Sequence, residues 1–187
     1  IAAGAGARLV EVEEALAADV KLSYSENPLF ADDVKAGKLP PVAERLPEEP
    51  LIVLPYVECG AYGGTLNGLA RAPESGTSDI LSWRQVSLVR IGDDLQTIVP
   101  NVAKAWTWAD DYKSVEFTLR KGHKWSDGQP FTADDVVFFF NDIVANKDIH
   151  PDVTTEWGVN AKAEKIDETH VKVSFDEPFP GMLTHMA

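Results

Sequence analysis

The sequence predicts a mixed α/β fold that includes a small antiparallel α+β unit, and three local patterns carry this prediction. From Val115 to Arg120, apolar residues alternate with polar ones, as they do in a half-buried strand. A second alternation of this kind covers Thr169 to Phe175. Between the two, Thr132 precedes an acidic first turn and a broad apolar face, which is typical of a capped helix packed on a sheet.

The stretch around this helix predicts a strand, a turn and a helix in that order. Ser126-Asp127-Gly128 is a turn sequence, because Asp bonds its own backbone and Gly accepts a positive φ at little cost. Thr132 is the expected N-cap, and Asp135 has the spacing of a capping-box partner, although Asp is a poorer partner than Glu or Gln. The helix then presents its apolar face through Val136, Val137, Phe139, Phe140 and Val144.

Length and composition limit the classes of protein that fit. A chain of 187 residues has room for one domain, or for one domain and part of a second. The net charge of −13 argues against nucleic acid and against an anionic membrane surface as partners. No apolar run is long enough for a membrane helix. Cys59 is the single cysteine, so neither an internal disulfide nor a closed thiolate zinc site is expected.

The first third of the chain predicts two short helices and an extended strap. Leu9 to Val20 has the apolar spacing of an amphipathic helix. A second helix is expected over Pro28 to Ala36, with Asn27 as N-cap and Gly37 as its stop. Five prolines between Leu39 and Pro55 exclude a long regular element there and predict an extended strap.

The next part of the chain predicts a strand, a polar loop and a helix. A glycine-rich loop over Gly60–Gly64 leads into a strand at about Thr65 to Ala70. A phosphate cradle is not expected there, because such loops follow a strand and open a helix. Arg71 to Asp79 is a polar, turn-rich stretch. Ser78 or Asp79 is the expected cap of a helix over Ile80 to Leu88, which is followed by a turn after Ile91.

Two strand pairs are expected in the second half. Ala105 to Ala109 predicts a strand that turns at Asp110-Asp111 into the strand containing Val115. Ala161 to Ile166 and Thr169 to Phe175 predict a hairpin, and a new helix is expected from about Met182.

The central stretch also resembles the signature of the family 5 extracellular solute-binding proteins, the oligopeptide- and dipeptide-binding components of ABC importers and their relatives. The resembling segments are Leu119–Gly122, Trp125–Gly128 and Thr132–Val136, which stand in the order that the family has. Upstream, Pro100 to Trp106 is similar to the family's P-x-L-A-x-x-W segment, with Val102 in place of Leu. From about Asn27, the sequence resembles an N-terminal extension of one subgroup of the family.

This resemblance implies a fold, a division into parts and a function. It implies the amino-terminal lobe of a periplasmic binding protein of type II, as a fragment, with a small antiparallel α+β subdomain. The expected parts are an extension (1–55), the start of the main lobe (56–88), the small subdomain (89–176) and the return into the main lobe (177–187). The implied function is the capture of an oligopeptide or similar solute for ABC import, by a periplasmic or extracellular monomer, with a lipid anchor as an option, that delivers to permease subunits.

The resemblance also implies that the loop after the first strand contacts the solute. In this sequence that loop is Arg71 to Asp79, and Glu74 or its neighbours' backbone would bond the ligand, whereas the alternative is an ordinary solvated turn. Trp83 would stack on the ligand or pack in the core. The candidate ligand-binding residues are Arg71, Ala72, Pro73, Glu74, Ser75, Ser78, Asp79 and Trp83.

No catalytic residue, metal site or cofactor is expected. Asp134 and Asp135 are explained by capping and by the helix dipole. The four histidines show no zinc spacing, and neither Ser75 nor Ser126 lies in a nucleophile elbow. Three alternatives stay open: an oligosaccharide-binding member of the same family, a stand-alone interaction module, and a small hydrolase that uses the acidic pairs.

Overall fold

The computed structural model describes residues 24–53, 61–65, 86–149 and 157–187. The helix predicted over Leu9–Val20 lies outside these residues, as do nearly all of the strand at Thr65–Ala70 and the first six residues of the helix at Ile80–Leu88. Packing divides the chain into two units, residues 1–43 and 44–187. The predicted division into four parts stays a prediction.

The first unit contains the helix that the sequence predicts after Asn27. The Asn27 side chain accepts a hydrogen bond from the Leu29 backbone N–H at 2.9 Å. The chain forms a 3₁₀ turn over Pro28–Phe30 and then helix α1 over Ala31–Lys35. Gly37 has a φ of 71°, which ends the helix as predicted. A one-turn helix, α2, covers Val42–Arg45 within the proline-rich strap, and the boundary between the units falls inside it.

The second unit is built on antiparallel strands. β1 (Val89–Ile91) pairs with β2 (Ile98–Pro100) in a two-stranded sheet. A four-stranded sheet has the order β3-β4-β6-β5, in which the strands are β3 (Ala103–Trp108), β4 (Ser114–Leu119), β5 (Lys162–Lys165) and β6 (His170–Ser174). The mixed α/β class, the strand pair at Asp110-Asp111 and the C-terminal hairpin are therefore confirmed.

The central pair of this sheet explains the two alternations in the sequence. Phe117 lies opposite Val171, and Val115 lies opposite Val173, so the apolar residues of β4 and β6 share one face. All four side chains are fully buried. The polar residues between them point to the other face, as the period of a strand requires.

Helix α3 (Ala133–Phe138) covers the apolar face and continues as a π-helical segment over Phe139–Val144. Asp135 accepts the Thr132 backbone N–H at 2.8 Å, while the Thr132 hydroxyl accepts the Asp134 N–H at 3.3 Å, which confirms the capping box. The Asn141 amide bonds both the N–H and the C=O of Ala163. Asn141 thereby ties the helix to the edge strand β5.

A final helix, α4 (Met182–Met186), closes the core with a fully buried Met182. Buried side chains from the sheet, α3 and α4 form one hydrophobic cluster. The predicted helix start near Met182 is therefore confirmed.

The helix predicted to reach Leu88 is wrong over its last three residues, because residues 86–88 are not helical and strand β1 begins at Val89. Pairing across the sheet accounts for the difference. The Leu88 carbonyl accepts the Ala103 N–H at 2.9 Å, and the β-branched residues Ile91 of β1 and Ile98 of β2 lie opposite each other. The sequence analysis did not predict β2.

Candidate functional site

The candidate ligand-binding residues named from the sequence, Arg71 to Asp79 and Trp83, lie outside the described residues. The structure therefore neither brings them together nor separates them, and their role stays a prediction. The described part of the second unit has its own concave feature, which the sequence analysis did not predict.

This feature is a cavity of about 630 Å³. It lies between the signature turn (Trp125–Gly128), the start of β1 and helix α3. Its volume lies within the range of small-molecule sites in proteins. Most of its wall is apolar, with a few polar groups from the signature turn and the helix start. The wall is formed by Val86, Leu88, Val102, His123, Lys124, Trp125, Ser126, Phe131, Asp135, Val136, Phe139, Phe140 and Met186.

The signature turn forms one rim of the cavity, and local hydrogen bonds hold it in shape. The Gly128 N–H donates to the Trp125 carbonyl at 2.9 Å, and Gly128 has a φ of 88°. The Asp127 carboxylate accepts the Gln129 N–H at 2.9 Å. Both features confirm the turn predicted at Ser126-Asp127-Gly128.

Trp125 links this turn to the helix cap. Its indole Nε1–H donates to Asp135 Oδ1 at 3.1 Å, and its ring meets the Phe131 ring edge-on with centroids 5.2 Å apart. Half of Trp125 is nevertheless exposed. The Asp135 carboxylate therefore serves the helix start through one oxygen and the indole through the other.

His123 lies in the wall of the cavity and has a lowered pKa. Its Nδ1 is buried and has no hydrogen-bond partner among the described residues. The ring meets Phe131 edge-on at 5.9 Å. Burial lowers the pKa of His123 below its ordinary value of 6.5, and the positive charge of Arg120 lowers it further. The imidazole is therefore neutral near pH 7.

Phe139 and Phe140 line the cavity, and further aromatic rings contact them from behind. Phe140 is fully buried and meets the Phe139 and Trp157 rings edge-on, at 5.2 and 6.0 Å. Trp157 in turn contacts the His185 ring at 4.7 Å. These edge-on contacts connect the π-helical segment to Trp157 and to α4.

The arrangement suits non-covalent contact with apolar groups. The carboxylates in this region bond to structural partners: Asp135 caps α3, and Asp134 pairs with the Lys165 ammonium at 2.5 Å. Among residues 24–53, 61–65, 86–149 and 157–187, no three potential ligating side chains cluster around a possible metal position.

The sequence contained one usable signal for the cavity. Val136 in α3, with Phe139 and Phe140 in the π-helical segment that follows, belongs to a broad apolar face that is visible in the sequence. The contributions of Leu88 and Val102 could not be read in advance, because they depend on how β1 and β3 meet.

Comparison with known proteins identifies the family. Residues 97–187 match the family described as "Bacterial extracellular solute-binding proteins, family 5 Middle". The matched range includes every signature segment named from the sequence.

Relatives and solved structures agree with this match. The periplasmic alpha-galactoside-binding protein of Rhizobium meliloti is 36% identical over 169 residues, which cover 79% of this chain and 24% of that protein. The structure of the oligopeptide-binding protein OppA is similar with a TM-score of 0.78 and 38% identity, over 93% of this chain and 28% of that one. The periplasmic binding protein MelB of Agrobacterium fabrum, solved with stachyose, has a TM-score of 0.65 and 32% identity, over 89% of this chain and 29% of that one.

The chain therefore spans a quarter or somewhat more of the length of these three proteins. Their fold is that of type II periplasmic binding proteins, and the antiparallel sheet with its capped helix corresponds to part of it. Residues 97–187 of this chain therefore belong to the family 5 extracellular solute-binding proteins.

Proposed function

We propose that this chain is part of the substrate-binding component of an ABC importer, which captures a small solute and delivers it to permease subunits at the membrane. The observation that carries the proposal is the likeness to OppA over 93% of the chain, at 38% identity and a TM-score of 0.78. A likeness of this extent includes the sheet, the capped helix and the signature turn.

The proposed mechanism is non-covalent capture between two lobes, without chemistry on the solute. Lobe closure around a ligand is a hinge motion in which the bound solute stabilises the closed state. The engagement of Asp134 and Asp135 in an ion pair and a capping box supports a structural role for these acids rather than the hydrolase alternative. The relatives named above are binding proteins.

The solute-contacting residues on this chain would be those of the loop Arg71–Asp79, together with Trp83. The support for this assignment is the family resemblance of the Ala72-Pro73-Glu74-Ser75 turn, combined with the tendency of loops on rigid scaffolds to carry binding residues. Glu74 would accept a hydrogen bond from the solute, and Trp83 would offer an aromatic face.

Two solute classes have specific support. Oligopeptides are favoured by the likeness to OppA. Oligosaccharides are favoured by the alpha-galactoside-binding relative and by MelB with its bound stachyose. Both classes offer hydroxyl or amide groups to polar side chains, so the loop is compatible with either.

The proposed location is periplasmic or extracellular, because two of the relatives named above are periplasmic binding proteins. Within the part of the chain that the structure describes, no helix is long and apolar enough to cross a membrane. A monomeric state belongs to the proposal as well, with a lipid anchor as an option.

Titration calorimetry on the full-length gene product that carries this chain tests the proposal. A panel of oligopeptides and alpha-galactosides such as stachyose would be titrated into wild-type protein and into Glu74→Ala. Loss of one hydrogen bond to a charged group is expected to weaken binding by about tenfold or more. Glu177→Ala is the matched control, since Glu177 is exposed and lies beyond β6.

The control variant should bind as the wild type does. Unchanged affinity in Glu74→Ala would remove Glu74 from the site, and no binding of either class by the wild type would contradict the proposed function itself.

A further inference from the structure

An acidic segment of the second unit, Glu44–Glu49, lies along the end of β4 and the turn that follows it. The Glu48 backbone N–H donates to the Lys121 carbonyl at 3.0 Å. The Lys124 ammonium donates to the Glu44 carbonyl at 2.8 Å. The segment is therefore bonded to residues 121–124 through two of its main-chain groups, the Glu44 carbonyl and the Glu48 N–H.

Side-chain charges strengthen the same contact. Glu48 pairs with Lys121 at 2.9 Å, and Glu49 pairs with Lys104 at 2.7 Å. Lys104 is the extra residue of a bulge in β3, where the register shifts between Ala103 and Ala105. A bulge of this kind re-aims a side chain, and here that side chain meets the acidic segment.

The hydrogen bond from the Lys104 ammonium lowers the pKa of the Glu49 carboxyl. The pKa of the Lys121 ammonium is raised, mainly by its hydrogen bond to Glu48. Both shifts agree with charged partners on the two sides of the contact.

Gly122 clears the space in which the segment lies. It has a φ of 79°, and a Cβ atom at this position would stand 2.8 Å from the Glu48 backbone nitrogen. Gly128 in the next turn has a φ of 88°, but a Cβ atom there would meet nothing within 4 Å. Both glycines therefore have a positive φ, but only Gly122 also lets another segment of the same chain approach closely.

We propose that Glu44–Glu49 is an electrostatic strap that binds reversibly to residues 121–124, the stretch that follows β4. Gly122 gives it room to lie close, and Lys104, Lys121 and Lys124 hold it. The main-chain bond gives the strap a fixed register, and the exposed ion pairs make its attachment sensitive to salt. The strap can open while the sheet stays folded, because none of its bonds belongs to the sheet.

Hydrogen exchange read by mass spectrometry on the full-length gene product tests the proposal. The peptide covering residues 44–53 reports the strap, and a peptide covering β4 reports the sheet. Raising the salt to about 1 M shortens the screening length to about 3 Å, so strap exchange is expected to rise by about two- to fivefold for each ion pair. Exchange in β4 is expected to stay constant.

The glycine pair supplies the matched control. Gly122→Ala and Gly128→Ala carry the same cost of a side chain at positive φ, but only Gly122→Ala pushes against Glu48. Faster strap exchange is therefore expected in Gly122→Ala alone. Lys104→Gln with Lys121→Gln gives a second route to release that leaves both turns intact, and it should remove most of the salt response.

Equal strap exchange in the two glycine variants would overturn the proposal, and so would strap exchange that neither salt nor the lysine variants change.

Discussion

The His123 imidazole makes the free energy of unfolding depend on pH, because its Nδ1 is buried in the folded state. Its folded-state pKa lies below 6.5, because burial and Arg120 disfavour the imidazolium. As the pH falls through 6.5, the unfolded chain takes up a proton that the folded chain refuses. The contribution of His123 to stability is therefore fully present above pH 6.5 and decreases as the pH falls towards the folded-state pKa.

Replacement of His123 by Gln is expected to flatten this part of the stability profile. Urea unfolding at pH 8 and at pH 5.5 measures the effect. The wild type should lose more stability than His123→Gln between these two values. The acids with lowered pKa values, such as Asp167 at about 2, titrate below this window and affect both proteins equally. An identical loss in both proteins would contradict the assignment.

Asp135 joins two local structures through one carboxylate, so its removal should be costly. Asp135→Ala leaves the Thr132 N–H and the Trp125 indole N–H without their acceptor. The expected loss in free energy of unfolding is about 1–3 kcal/mol, by urea denaturation. Asp142→Ala is the control, because Asp142 is an exposed aspartate later in the same helical segment. A loss as small as that of the control would show that the two bonds do not contribute.

At the scale of elements, the helix over residues 133–144 is divided into a buried and an exposed side. Buried side chains recur at Ala133, Val136, Phe140 and Val144, with spacings of three and four residues. Phe138 lies on the other side and is 57% exposed. The helix therefore covers the sheet with one face, although its second half is π-helical.

Two phenylalanine variants test this orientation. Phe140→Ala should lower the free energy of unfolding by about 3–5 kcal/mol, because it leaves a void in the core where a fully buried ring was packed. Phe138→Ala should change it by about 0.5 kcal/mol or less, since its ring is mostly in solvent. Urea denaturation of both variants measures the difference. Similar losses in the two variants would contradict the observed face.

Sequence patterns predicted the elements whose signals are local. The alternation around Phe117, the cap at Thr132 and the helix stop at Gly37 each depend on a few neighbouring residues. β2 is three residues long and its only strand partner among the described residues is β1. A strand this short has no local pattern that predicts it. The end of the predicted helix at Leu88 failed for the same reason. The cavity depends on β1, β3 and α3 meeting, which no single segment encodes.

For the molecule as a whole, the net charge of −13 sets the electrostatic character of the surface. A charge of this size favours solubility through self-repulsion and disfavours polyanionic partners such as nucleic acid. It does not distinguish between peptides and oligosaccharides as solutes. The proposed function rests on the family match over residues 97–187 and on the extent of the likeness to OppA.

Native mass spectrometry of the full-length gene product, mixed with oligopeptides and alpha-galactosides, is the sharpest test of solute capture. One solute is expected to be retained per protein chain, and competition within the mixture is expected to select one class over the other. Retention of neither class above the level of an unrelated acidic protein would contradict solute capture.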